Sequence, residues 1–342
     1  MMGGTLCRSF PIENSKMTQS LFQTGSQIGV STGGHFVTLA DNAFIMATSQ
    51  WQKTLEIPGR VLFSEGSGEL AKLEINTAWS SAEVYLHGAH ISHFQKKDDP
   101  PVLFMSQLSR FDESSPIRGG IPVIFPWFGA REGQPAHGFA RTQAWELREV
   151  TQLPTGAVSL RLGLPDSPAA AMFPNFSADY WITVGKTLTA ELIVANLDPS
   201  QHLTFEDCLH TYFVIGHISA VSVTGLKGAD YLDKTESFAR KTERAEHLKI
   251  SQETDRIYLD TAAPVEIHDS KLQRRIQIAK TGSLSTVVWN PWAAKAQQMP
   301  DFGDEEYEQM LCVESGNVAE NRLTLPSGKT ASLRVEIGTQ SL

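Results

Sequence analysis

Cysteine is scarce: the 342 residues hold three, Cys7, Cys208 and Cys312. No pair has CxxC spacing and the number is odd. Neither a disulfide framework nor a cysteine-based zinc site is expected, and a reducing compartment, the cytoplasm, fits better. Basic charge is also short. Lysine and arginine number 29 against 38 acids, for a net charge of −9 and a pI of about 5.6. Over the whole molecule nothing attracts nucleic acid or an anionic membrane surface, so an anionic ligand needs a local basic pocket. The apolar stretch around Ile121–Phe128 is too short, and too interrupted by Pro122 and Pro126, to span a bilayer. Met1 to Met17 contain no apolar run, so a secretory leader is not expected. The Asn175-Phe176-Ser177 sequon then has no expected use. No G-x-x-x-x-G-K-[ST], H-E-x-x-H or G-x-S-x-G occurs, which leaves nucleotide-driven, zinc-peptidase and serine-hydrolase readings without a motif.

Long amphipathic helices are nearly missing too. What is present is β texture. Residues 1–52, rich in Gly, Ser, Thr and Gln, read as an N-terminal extension of unknown role that partly wraps the domain. At most a short strand is expected there, over His35–Leu39. From about Leu55, apolar and polar residues alternate, as half-buried strands require. The runs are Leu70–Asn76, Ala82–Leu86, Val158–Leu164, Tyr180–Val184, Leu188–Val194, Ser219–Val223, Val265–Ile267, Arg275–Ile278, Thr286–Trp289, Met310–Glu314 and Ser332–Ile337. Gly, Pro, Asn or Asp punctuates most of them. Hydrophobic residues make up 41% of the chain, enough for a full core. Many short strands with no linker or repeat predict a mainly β fold, a large antiparallel β-sandwich, in one domain over 53–342.

Five groups of residues could carry chemistry. His87, His90 and His93 lie on a strand pattern where side chains alternate faces, so they read as structural, and no metal site is expected. Arg118 and Arg141 flank the apolar stretch. Arginine suits phosphate because its planar fork donates two parallel hydrogen bonds and stays charged. Equally, each could pair with an acid such as Asp112 or Glu146. His137 stands four residues before Arg141. His210 shares a face with Cys208 and Tyr212 in an extended segment; an imidazole suits general acid work near neutral pH, or it is a core histidine bonded to backbone. Glu314 ends an apolar strand pattern, as a base of raised pKa at the mouth of a sheet or as an exposed strand-end carboxylate. The acidic run Asp301–Glu306 lacks calcium-loop spacing and reads as a solvated loop.

Taken together, several blocks resemble the glucose-6-phosphate 1-epimerase (hexose-6-phosphate mutarotase) family of the galactose-mutarotase-like superfamily. They are Gly88-Ala89-His90, Pro116-Ile117-Arg118-Gly119-Gly120-Ile121-Pro122, Phe125-Pro126-Trp127-Phe128-Gly129 and His137-Gly138-Phe139-Ala140-Arg141. Later blocks are Leu209–Phe213, Thr254–Tyr258, Trp289-Asn290-Pro291-Trp292 and Cys312-Val313-Glu314. The resemblance runs from about residue 55 to the C-terminus. It implies the superfamily's supersandwich fold and anomer exchange of a hexose 6-phosphate. It implies His210 as catalytic acid and Glu314 as catalytic base. Arg118 and Arg141 would bind the phosphate, Asp255 the sugar hydroxyls, and His137 would line the pocket. No cofactor is implied, and the expected partner is a small-molecule hexose phosphate bound by a monomer. Members often carry glutamine just before the histidine of the second block, where this chain has Ala136. Two alternatives stay open: an aldose 1-epimerase of unphosphorylated sugars, and a non-catalytic sugar-phosphate-binding protein.

Overall fold

The computed structural model describes residues 54–342. The expectations for residues 1–52, including a strand over His35–Leu39, lie outside the described residues.

Antiparallel sheets dominate. A four-stranded meander opens the described part, with Val61–Glu65, Ala71–Asn76, Ser80–Tyr85 and His90–Lys96 in sequence order. Two eight-stranded sheets follow. The backing sheet runs Val221–Thr224, Val265–Asp269, Arg274–Thr281, Thr330–Ser341, Leu188–Asn196, Phe176–Val184, Val158–Gly163, Glu146–Gln152. The second, here the cleft sheet, runs Ala239–Thr242, Asp230–Asp233, Thr254–Tyr258, Ser285–Asn290, Met310–Asn317, Asp207–Leu209, Val123–Ile124, with Tyr212–Val214 also paired to Met310–Asn317. One apolar core joins all three: Leu73 and Val84 from the meander, Leu160, Leu192 and Ile337 from the backing sheet, Tyr258, Val288, Leu311 and Val313 from the cleft sheet. Fully burying one such side chain contributes roughly 1.5–3 kcal/mol. The expected antiparallel β-sandwich is therefore found. Among the described residues no helix is long and apolar enough to cross a membrane.

Alternation found most of the long strands but set their ends up to four residues off, as at Phe176–Val184 and Thr330–Ser341. Met310–Asn317 does not stop at Glu314. All of its residues are buried, so no polar-out position marks its end. The segment Ser219–Ala220 starts no strand, because Ile218–Ala220 forms a 3-10 turn initiated by the His217 ring, which accepts from the Ser219 N–H. The charged strands Asp230–Asp233 and Ala239–Thr242 escaped the pattern, since they pair near a sheet edge where few side chains are buried.

Candidate active site

The cleft sheet turns Leu311 and Val313 into the core, and therefore Met310, Cys312 and Glu314 to its other face. Directly opposed residues share a face. One row across the sheet is thus Asp255, Trp289, Cys312 and Tyr212, and the next is Ile257, Val287 and Glu314. From these rows Asp255, Trp289, Tyr212 and Glu314 line a cleft of about 230 Å³, with Cys312 fully buried among them. Asp207–Leu209 and Tyr212–Val214 pair with the same strand in one unbroken register, Leu209 opposite Ser315 and Tyr212 opposite Cys312. Between them the ladder opens: the His210 N–H donates to Pro122 O and the Thr211 N–H turns back to Leu209 O. That break sets His210 across from Glu314, with Nδ1 3.3 Å from Oε1. The His210 ring is stacked on Tyr212 at 4.8 Å and meets Trp289 edge-on.

The 116–141 stretch forms part of the wall. Gly120 has φ +57, and a Cβ there would lie 2.2 Å from Ile91 O, so the chain can fold this closely over the meander only with glycine. This tight turn carries Arg118 to the cleft. His137, at φ +66, lines the cleft between Phe128 and His210. Its Nδ1 accepts from the Gly129 N–H at 3.3 Å. The neutral ring therefore carries its proton on Nε2 and can act as a donor.

Neither arginine pairs with Asp112 or Glu146. Arg118 is held by Asp301: Nε and Nη2 donate to Oδ2 at 3.1 and 3.0 Å, while Nη1 donates to the Tyr212 hydroxyl at 2.9 Å. The start of the acidic run is thus anchored, with Phe302 fully buried beside Asp301, while Asp304 and Glu305 are exposed as a solvated loop would have them. Arg141 is half-buried, near enough to His137 and His210 for its charge to act on both. Its Nη2 donates to Ala136 O at 2.9 Å, its Nε is buried without a partner, and it forms no ion pair among the described residues. The backbone of Ala136 makes that contact, so it needs no particular side chain there. Asp255 lines the cleft with its carboxylate 2.8 Å from Lys234 Nζ. His87, His90 and His93 lie elsewhere: His87 Nε2 meets Ser115 O, and His90 is buried beneath Gly120.

Burial sets the protonation of the central pair. Desolvation, with the charges of Arg141 and Arg118, and His137 as well, holds the His210 imidazole well below its usual range. Desolvation and the neighbouring Asp255 hold the Glu314 carboxyl well above its own, against a smaller opposing pull from Lys234 and the Cys208 thiol. Cys208 Sγ donates to Glu314 Oε2 at 3.4 Å. Burial thus works against charge on both partners, disfavouring the imidazolium of His210 and the carboxylate of Glu314.

A sequence-family model described as aldose 1-epimerase matches residues 71–338. The chain belongs to the aldose 1-epimerase family. Membership makes it an isomerase of the epimerase type. A protein of Cenchrus ciliaris is 34% identical over 258 residues, 72% of this chain and 78% of its own length. One from Escherichia coli K12 is 33% identical over 276 residues, 78% and 91% of the two chains. Both bear the name "Putative glucose-6-phosphate 1-epimerase". A Salmonella typhimurium crystal structure described as a "putative mutarotase" superposes with a TM-score of 0.77 at 28% identity, covering 86% of this chain and 100% of its own. The galactose 1-epimerase of Lactobacillus acidophilus, 12% identical with a TM-score of 0.61 over 82% and 99% of the chains, shares the fold.

Of the residues singled out from sequence, His210, Glu314, Arg118, His137 and Asp255 all line this epimerase's cleft; Arg141 does not. Sequence reasoning missed Lys234, Tyr212, Trp289, Lys295 and Met299 on its walls. Tyr212 and Trp289 stood inside the family-like blocks, and their place opposite Cys312 in register is the signal that a strand alignment could have used.

Proposed function

We propose that the chain is a hexose-6-phosphate 1-epimerase that interconverts the α and β anomers of glucose 6-phosphate or a close relative. The observation that carries this reading is the register that puts His210 across from Glu314 on the wall of a cleft lined by cations. Anomer exchange needs the anomeric hydroxyl to lose a proton while the ring oxygen gains one. The ring then opens, the aldehyde rotates and the ring recloses. A carboxylate and an imidazolium in contact supply both transfers and exchange roles on reclosure. The working form carries one proton on the pair, on His210, with Glu314 as the carboxylate. Asp255 and the His137 Nε2–H would grip sugar hydroxyls. Arg118 and Arg141 would meet the phosphate, whose binding orients the ring. The free, buried Cys208 and Cys312 fit a cytoplasmic enzyme.

NMR exchange spectroscopy on glucose 6-phosphate measures this directly. His210→Asn and Glu314→Gln should each slow enzyme-driven exchange by about 10²–10⁴-fold. Exchange by either variant at the wild-type rate removes the assignment. A second reading has one observation in its favour: Asp301 already occupies the Arg118 fork, so the substrate could be an unphosphorylated aldose. Arg141→Ala separates the two. It should lower kcat/KM for glucose 6-phosphate at least tenfold and leave that for glucose within about threefold, whereas equal losses favour the plain aldose.

A further inference from the structure

Buried beside the cleft, packed with Tyr212 and Trp289, is a thiol that the proton-transfer scheme does not use. Cys312 lies two residues before Glu314 on the same strand face, between Trp289 and Tyr212 in register. His210, Cys312 and Glu314 can each turn one ligand atom to a common point, these atoms lying within 4.8 Å of one another. The three are imidazole, thiol and carboxyl, the donor types of three-ligand zinc sites. Their geometry is already close to such a site. Zn–N and Zn–O bonds at a tetrahedral angle place the two ligand atoms roughly 3.3–3.5 Å apart, and His210 Nδ1 and Glu314 Oε1 are 3.3 Å apart. A second observation points the same way: His210 Nδ1 is buried and makes no hydrogen bond, although the Glu314 carboxyl stands 3.3 Å away. A nitrogen left so in a protein interior is costly and accepts any cation or donor that reaches it. Cys208 is differently employed. Its Sγ faces the other carboxylate oxygen and is not one of the three.

We infer that His210, Cys312 and Glu314 form a binding site for a thiophilic divalent ion of the Zn²⁺ type, and that occupancy inhibits the enzyme. Coordination expels to water the thiol proton of Cys312 and any proton carried by Glu314, with His210 binding through a neutral Nδ1. Thiolate and carboxylate then offset the two charges of the ion, and the fourth position faces the cleft. Thiolate favours zinc and disfavours Mg²⁺ or Ca²⁺, which prefer oxygen. The inhibitory half rests on the proton-transfer roles proposed above, because liganded Nδ1 and carboxylate can no longer pass a proton. The site itself does not depend on them.

The test uses the full chain with Cys7→Ser, so that Cys208 and Cys312 are the remaining thiols. Titration with Co²⁺ should produce a thiolate-to-cobalt charge-transfer band in the near ultraviolet that Zn²⁺ abolishes. Adding Cys312→Ser should remove the band; adding Cys208→Ser should keep it. His210→Gln should also remove it, which covers the case that the Cys312 variant does not fold. Zn²⁺ should inhibit anomer exchange reversibly to chelator, and Cys312→Ser should raise the inhibitory concentration at least tenfold. No band in the Cys7→Ser protein, or a band that survives Cys312→Ser, overturns the site whatever the activity. A band without inhibition upholds the site and overturns the roles given to His210 and Glu314.

Discussion

His90 and His210 are both buried imidazoles, yet only one has chemistry to do. His90 sits under Gly120 with Nε2 unpartnered, and burial, His87 and Arg141 push its pKa down to about 3. In the unfolded chain a histidine titrates near 6.5. The unfolded state therefore binds a proton over a range where the folded state refuses it. Stability from His90 is complete above pH 6.5 and falls as pH drops from there toward 3. Urea unfolding at pH 7 and pH 5 should show a loss of up to roughly 2 kcal/mol from this one group. His90→Leu should flatten that acid slope, and an unchanged slope would mean that other groups set it. His210 has similar burial but faces a cleft, stacked on Tyr212 and opposed by a carboxyl. The sequence treats the two alike; the difference lies in what stands across from each, which no local pattern records.

At the scale of the element, the strand Met310–Asn317 does two jobs on two faces. Leu311 and Val313 belong to the shared core, Cys312 to a second buried cluster on the other face and Glu314 to the cleft. The jobs should separate. Leu311→Ala should cost about 2–5 kcal/mol of unfolding free energy, while anomer exchange per folded molecule stays within about tenfold. Glu314→Gln should do the reverse, with exchange lost and the denaturation midpoint little moved or raised. Chemical denaturation and exchange rates on the same preparations check both. This strand was legible as strand from its apolar run. Glu314 was legible as a candidate because burying a carboxylate in such a run is costly unless a partner or a reaction uses it. Arg118 with Asp301 was not. The two are 183 residues apart in the chain, and only the folded loop brings them together. Lys234 was missed for a related reason. It follows a short, charged edge-side strand whose composition resembles a loop.

Over the whole molecule, strands far apart in sequence alternate in the cleft sheet, so residues from Arg118 to Glu314 meet in one cavity. Alternation could give the nature of the strands, and hence the sandwich, but it marked only eleven runs where the described residues form 22 strands. It could not give their order, which is set by which faces bury best against the common core. Charge shows the same division. The chain carries −9 overall, yet its cleft gathers Arg118, Lys234 and Lys295. Lys234 and Lys295 are each matched to an acid, Asp255 and Glu253.

Arg141 is matched to none, and its field, with that of Arg118, helps to keep His210 from taking a proton. Burial is the larger cause, but an anion seated on these guanidinium groups would cancel their field and make the imidazole easier to charge. The phosphate would then be an activator as well as a handle, and it need not be attached to the sugar. Inorganic phosphite added to D-xylose, a substrate without the sixth carbon, should raise its enzyme-driven anomer exchange severalfold or more. The gain should saturate with phosphite and disappear in Arg141→Ala.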